Sequence, residues 1–258
     1  MNERGLTANV LWLEESDYGE REMKRPGLSV SLWAQYMLDN FSSVKQAVDF
    51  TAADSFQLVT GPIPKTGLRV AVHLSLSDPT GDSAVIEYLE GRPRVFHGRE
   101  FTVMTNSPVF EKQIEALKQY RGFGGNLELS RREGTDPRFI RAAAYLKSIP
   151  KHPVYIQNVE AVFNAIRKIS IPISLPGEAS PPNLSPTRWR SVADLTNKIY
   201  YFEYPLHPKP IWVRLDDLNL RPGAPVKRLD IGRQENSAGD VSARFVSCEP
   251  FVFAVPPG

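Results

Sequence analysis

Asn106 stands in the run VMTNSPVF (residues 103–110), between an apolar stretch and the pair Ser107-Pro108. Ser is a favoured helix N-cap, and Pro suits the first helical position because its missing N–H would be unpaired there anyway. The spacing predicts a helix from Ser107 onward, with the Asn106 carboxamide at a strand-to-helix corner, where functional side chains are often displayed. An amide N–H at such a corner can donate to a developing oxyanion. Asn is common as a plain turn residue at strand ends, and on this stretch alone that is the favoured reading. Cys248, the single cysteine, lies in an apolar stretch and reads as a buried structural thiol. One cysteine excludes an intrachain disulfide and a Cys-based zinc site. His73, His97, His152 and His207 show no HxH or HxxxH spacing, so neither a metal nor any other cofactor is expected.

The elements that would position Asn106 are legible in outline. GLTANVLWL (5–13) reads as a buried strand, and LSVSLWAQYMLDNF (28–41) carries Leu28, Leu32, Trp33, Tyr36 and Met37 at helical spacing. Ser43 with Gln46 three residues on has the capping-box pattern for a second helix. In LRVAVHLSLSD, Val70, Val72, Leu74 and Leu76 share one face of a strand. Asp78-Pro79-Thr80-Gly81 has type I turn chemistry. SAVIEYL returns as the partner strand, EGRPR reads as a further turn, and VFHGREFTVMT as one or two more strands. Helices are expected in SPVFEKQIEALKQY, with Phe110, Ile114 and Leu117 on one stripe, and in DPRFIRAAAYLKSI and NVEAVFNAIRKI. After the Pro-rich PISLPGEASPPNLSP, strands are expected at WRSVADL, KIYYFEY, PIWVRLDD and, less regularly, RFVSCEPFVFAV. This order gives an α+β protein with helices packed on antiparallel sheets.

The chain has 258 residues, 41% hydrophobic and 23% charged, enough for one large domain or two small ones with a substantial core. Its 31 basic and 29 acidic residues are interspersed, leaving a formal charge of +2, so neither nucleic acid nor a membrane is an expected partner. No apolar run approaches membrane-spanning length. The opening MNERGLTANVLWL lacks the basic-then-apolar pattern of a secretory signal.

Six segments in order resemble the choloylglycine hydrolase and penicillin V acylase family of N-terminal-nucleophile amidohydrolases, in its Gram-negative acylase branch. They are MNERGL (1–6), RPGLSVSLWAQYMLDNF (25–41), SDPTGDSAVIEY (77–88), VMTNSPVF (103–110), RFIRA (138–142) and TRWRSVADLTNKIYYFEY (187–204). The resemblance implies an αββα four-layer sandwich and hydrolysis of linear amide C–N bonds in small N-acyl substrates. It also implies a cysteine nucleophile exposed as the mature first residue, whose α-amine is the base, with an Arg and an Asp soon after it. Carried over by position, Asn106 is the oxyanion-hole amide, and Arg138 is the active-site Arg that stabilises the charged centre. Trp12 supplies a second oxyanion donor through its backbone N–H and lines the acyl pocket with its ring. Penicillin V and N-acyl homoserine lactones are expected ahead of bile salts, and relatives are often homotetramers.

The chain departs from the family at its start. MNERGL normally follows the strands that carry the nucleophile, and neither Met1 nor Asn2 is a nucleophile of this class. The expectation is a single choloylglycine hydrolase-like domain over 1–258 that lacks its first strands and is inactive without an upstream cysteine. A full-length relative would be periplasmic. The alternative is a non-catalytic remnant or acyl-binding protein that keeps the pocket.

Overall fold

Alternating apolar residues are what a strand with one buried face requires. In the computed structural model, Val72, Leu74 and Leu76 are all buried on one face of a sheet. The structure describes residues 1–62, 67, 69–130, 137–172, 186–207, 209–232 and 238–253. It divides into two units, Met1–Glu133 with Phe251–Gly258, and Gly134–Pro250.

The first unit runs β1 (Thr7–Trp12), β2 (Gly27–Ser29), α1 (Trp33–Asn40), α2 (Val44–Ala52), β3 (Gln57–Val59), β4 (Val72–Ser77), β5 (Ser83–Leu89), β6 (Arg92–His97) and α3 (Phe110–Leu117). Strands β1, β4, β5 and β6 form an antiparallel sheet in that order, with Val10 opposite Leu74 and Leu74 opposite Ile86. Leu74, Leu76, Ala84, Ile86 and Tyr88 make one face of it, against which Trp33, Met37, Val44 and Ala47 of the two helices pack. Trp33 meets Tyr88 edge-on, with ring centroids 5.7 Å apart. Each large side chain removed from water in this way contributes about 1.5–3 kcal/mol. The other face carries Asn9, Leu11, His73, Ser75, Val85 and Glu87, by the alternation of the same register.

Several boundaries differ from the sequence reading. The helix expected over 28–41 starts only at Trp33, because Gly27–Ser29 pairs as β2, parallel to β3. Both strands lie far apart in sequence, so their pairing has no local signal. The expected EGRPR turn shrinks to Glu90-Gly91, whose φ values of 54° and 72° match the primed two-residue hairpin that follows strand twist. Arg92-Pro93-Arg94 therefore belongs to β6, an edge strand, where a proline costs no ladder bond to a further neighbour. The stretch 101–105 forms no strand.

In the second unit come α4 (Arg138–Ser148), α5 (Tyr155–Ile169), β7 (Arg190–Asp194), β8 (Ile199–Glu203), β9 (Ile211–Arg214), β10 (Lys227–Arg228), β11 (Gly239–Asp240) and β12 (Val246–Ser247). The sheet order is β11-β9-β8-β7, and Val159 and Phe163 of α5 pack on Val192, Ile199 and Tyr201. Glu203 is clamped between Arg167 at 2.5 Å and Arg190 at 2.9 Å. Burial pushes its carboxyl up, but the bonds from the two guanidinium groups outweigh that and hold it below the usual carboxylate range. The final strand expected in RFVSCEPFVFAV is reduced to Val246–Ser247, paired with β10. Cys248 beyond it is partly exposed rather than buried, because a two-residue strand pair buries little. Asp136, the first residue of the helical stretch DPRFIRAAAYLKSI, and most of the Pro-rich loop lie outside the described residues. Among the described residues no helix is long and apolar enough to cross a membrane.

Candidate active site

The corner that carries Asn106 is built from buried polar groups. On β5, Glu87 is 1% exposed and faces His73 of β4, with 3.0 Å between its Oε1 and His73 Nδ1. The same Oε1 accepts the Phe110 N–H at 2.9 Å, so a carboxylate from the sheet caps α3. This sets the first helical residue at Phe110, two residues later than the Pro108 that the sequence predicts. Ser107, the expected N-cap, is used otherwise: its Oγ accepts the Glu14 N–H at 2.8 Å and joins the corner to the segment after β1. The carboxylate makes Nδ1 the protonated nitrogen of His73, and Nε2 is buried without a partner among the described residues.

Gln113, one turn into α3 and 4% exposed, grips the corner from the other side. Its Nε2 donates to Asn106 O at 2.9 Å and to Pro108 O, and its Oε1 accepts from Thr105 Oγ1 at 2.7 Å. The Asn106 carboxamide itself makes no hydrogen bond among the described residues. Gln113 thus holds two backbone carbonyls of the corner and the Thr105 hydroxyl, while the half-buried Asn106 carboxamide is unspent.

Trp12 ends β1, 37% exposed. Opposite it, both backbone groups of Val72 are taken by the Tyr18 hydroxyl, which accepts from Val72 N–H at 2.8 Å and donates to Val72 O at 2.9 Å. The next residue, Leu13, donates across to Ala71 O at 3.0 Å. By the alternation of an antiparallel ladder, the Trp12 N–H then points out of the far edge of β1. That edge has no strand partner among the described residues. Trp12 and Asn106 are brought to the same end of this sheet, two residues and one residue away from the Glu14–Ser107 bond. A cavity of about 340 Å³ opens on the Asn9 face, lined in part by Leu11, Ser75, Phe101, Thr102 and Met104. Its size falls at the lower end of small-molecule sites. Neither Trp12 nor Asn106 lines it, and by its register opposite Val72 the Trp12 ring lies on the other face of the sheet.

Arg138 is the first residue of α4, in the second unit. Burial, and after it the charge of Arg141, pull its guanidinium below the ordinary value. It forms no ion pair or hydrogen bond among the described residues. A partly buried cation at a helix N-terminus, next to a second cation, is electrostatically unfavourable in itself. It remains cationic at neutral pH, and so offers a place for an anion. No group of three potential metal ligands occurs among the described residues.

Sequence reasoning missed Glu87, His73 and Gln113. The only signal was a polar residue, Gln113, inside the Phe110–Ile114–Leu117 stripe.

Residues 1–237 match the linear amide C–N hydrolases of the choloylglycine hydrolase family. The chain belongs to this family of amide hydrolases. A penicillin V acylase from Pectobacterium atrosepticum is 38% identical over 98% of this chain and 72% of its own length. A bile salt hydrolase/transferase from Clostridium perfringens is 30% identical over 49% of this chain and 38% of its own. Among solved structures, penicillin V acylase from Agrobacterium tumefaciens superposes with a TM-score of 0.83 and 39% identity, covering 98% of this chain and 78% of that one. A conjugated bile acid hydrolase from C. perfringens gives 0.65 at 24% identity, over 85% of this chain and 72% of that one, a likeness of fold. The chain thus has the α+β fold of these choloylglycine-family hydrolases, the N-terminal-nucleophile type implied by the sequence resemblance.

Proposed function

We propose that this choloylglycine-family chain carries the oxyanion hole and charge-stabilising part of an acylase active site, acting on penicillin V or N-acyl homoserine lactones in preference to bile salts. The observation that carries the reading is the unspent Asn106 carboxamide on a corner whose carbonyls at Asn106 and Pro108 are held by Gln113. Attack of a thiolate on an amide carbonyl creates a tetrahedral centre with a negative oxygen, and donors fixed in advance stabilise that charge without reorganising. Asn106 Nδ2 and the Trp12 N–H are the two donors, the Trp12 ring packs against the acyl group, and Arg138 stabilises the charged centre. The substrate preference follows the two acylases to which the chain is similar. The two units belong to one choloylglycine hydrolase-like domain, as the family match across both of them supports. Assembly as a homotetramer belongs to the same proposal.

The single cysteine, Cys248, follows the two-residue strand β12, whereas the nucleophile implied by the family resemblance is a cysteine at the mature first residue. Residues 1–258 alone therefore bind acyl ligands without turning them over, which is also what an acyl-binding protein would do. Calorimetry with phenoxyacetate, the acid released from penicillin V, tests the pocket. Binding that weakens about tenfold in Trp12→Ala, in line with loss of an aromatic contact, supports it, and equal affinity in both proteins defeats it. Penicillin V hydrolysis by residues 1–258 that survives Cys248→Ala would overturn the division of labour.

A further inference from the structure

We propose that Gln113 is a positioning residue for Asn106, holding still the backbone on which that carboxamide is mounted. This rests on the reading of Asn106 as an oxyanion donor. The Gln113 carboxamide has two N–H donors and one strongly accepting oxygen, and all three functions go to the same corner: Asn106 O, Pro108 O and Thr105 Oγ1. An apolar side chain at this position would extend the Phe110–Ile114–Leu117 stripe and would avoid desolvating an amide. The polar choice is thus spent wholly on residues 105 to 108. Two further bonds complete the frame, Phe110 N–H to Glu87 and Glu14 N–H to Ser107 Oγ. Asn106 has no side-chain bond to set its own direction, so its aim depends on this frame. An oxyanion donor is sensitive to such aim, since a displacement of about 1 Å can cost on the order of 10²-fold in rate.

The test needs no turnover. In the isotope-labelled 258-residue chain, backbone amide order parameters are compared between wild type, Gln113→Met and Gln113→Glu. In Gln113→Met, which keeps length but makes none of the three bonds, order at Asn106 and Ser107 falls from about 0.85 to below about 0.6, while β4 and β5 hold theirs. Gln113→Glu is loose at neutral pH because the carboxylate cannot donate. Near pH 4, with wild type measured alongside, protonation restores one donor and order at 106 and 107 partly recovers. A role confined to overall stability would not give this local, pH-reversible signature. Unchanged order at 106 and 107, uniform loosening of the whole unit, or no recovery in Gln113→Glu would each overturn the proposal. If Gln113→Met does not fold, the Gln113→Glu response decides. Loosening at 106 combined with phenoxyacetate affinity indifferent to Asn106→Ala overturns the oxyanion reading alone. Retained order combined with an affinity that collapses in Asn106→Ala overturns the positioning role alone.

Discussion

At the scale of residues, the proposed site is marked by polar groups that the fold leaves without partners. Asn106 has an unbonded carboxamide and Arg138 a partly buried guanidinium with no anion among the described residues. Both side chains are only partly buried, so water can satisfy them in the free protein and be displaced by a ligand. In a form of the protein that also carries the nucleophilic cysteine, Asn106→Ala is expected to lower kcat by about 10²–10³ with little change in KM, because the donor acts on the transition state. Steady-state kinetics on penicillin V check this, and an unchanged kcat returns Asn106 to the role of a turn residue. Arg138→Lys is expected to retain only part of the activity, since an ammonium keeps the charge but not the planar fork. Full activity in Arg138→Lys would mean that charge alone matters there. Asn106, Trp12 and Arg138 are candidates that the family pattern in the sequence supplies. Gln113 and Glu87 were not legible there, because their partners are set by packing between elements.

At the scale of elements, Asp78 shows how one side chain joins two of them. It lies 3% exposed in the β4–β5 turn, where its Oδ1 accepts from Thr80 N–H at 2.9 Å and Thr80 Oγ1 at 2.6 Å. Its Oδ2 accepts the Val44 N–H of α2 at 2.9 Å. Burial pushes this carboxyl up, but the hydrogen bonds outweigh it and hold it below the usual range. A depressed carboxyl contributes stability that is present above its unfolded pKa, about 3.9, and is lost as pH falls through the lower folded value. Asp78→Ala is expected to cost about 1–3 kcal/mol at neutral pH, the penalty for leaving buried donors unpaired. It should also flatten the acid limb of stability below about pH 4. Denaturant melts of both proteins from pH 7 to pH 2.5 would reveal it, and parallel curves would refute it. The turn was read correctly, as was the Ser43 cap, whose Oγ accepts the Gln46 N–H at 3.3 Å. The bond from Asp78 to α2 was not foreseen, since 34 residues separate its partners.

At the scale of the whole molecule, β1 governs behaviour in solution. It pairs with β4 alone among the described residues and ends its sheet, with Val10 39% and Trp12 37% exposed beside the open edge. Unpaired strand edges next to apolar surface are templates for association. The 258-residue chain is therefore expected to self-associate in size-exclusion chromatography. Val10→Lys should shift it toward the monomer, because a charge at an edge opposes strand addition. A wild-type chain that elutes as a monodisperse monomer and melts cooperatively would defeat this expectation.

The sequence by itself determined the family, the α+β class and most strands and helices, because period, capping and turn chemistry are local and the ordered motifs are specific. It also placed Asn106, Trp12 and Arg138 as candidates. Only the tertiary structure decided where α3 begins, since the group that caps it, Glu87, lies 23 residues away on the sheet. It alone paired β2 with β3 and gave Ser107 to Glu14 in place of its own helix. It alone brought Gln113 onto the carbonyls around Asn106. A polar side chain in a linear sequence has many possible partners, and burial in a particular packing is what reduces them to one.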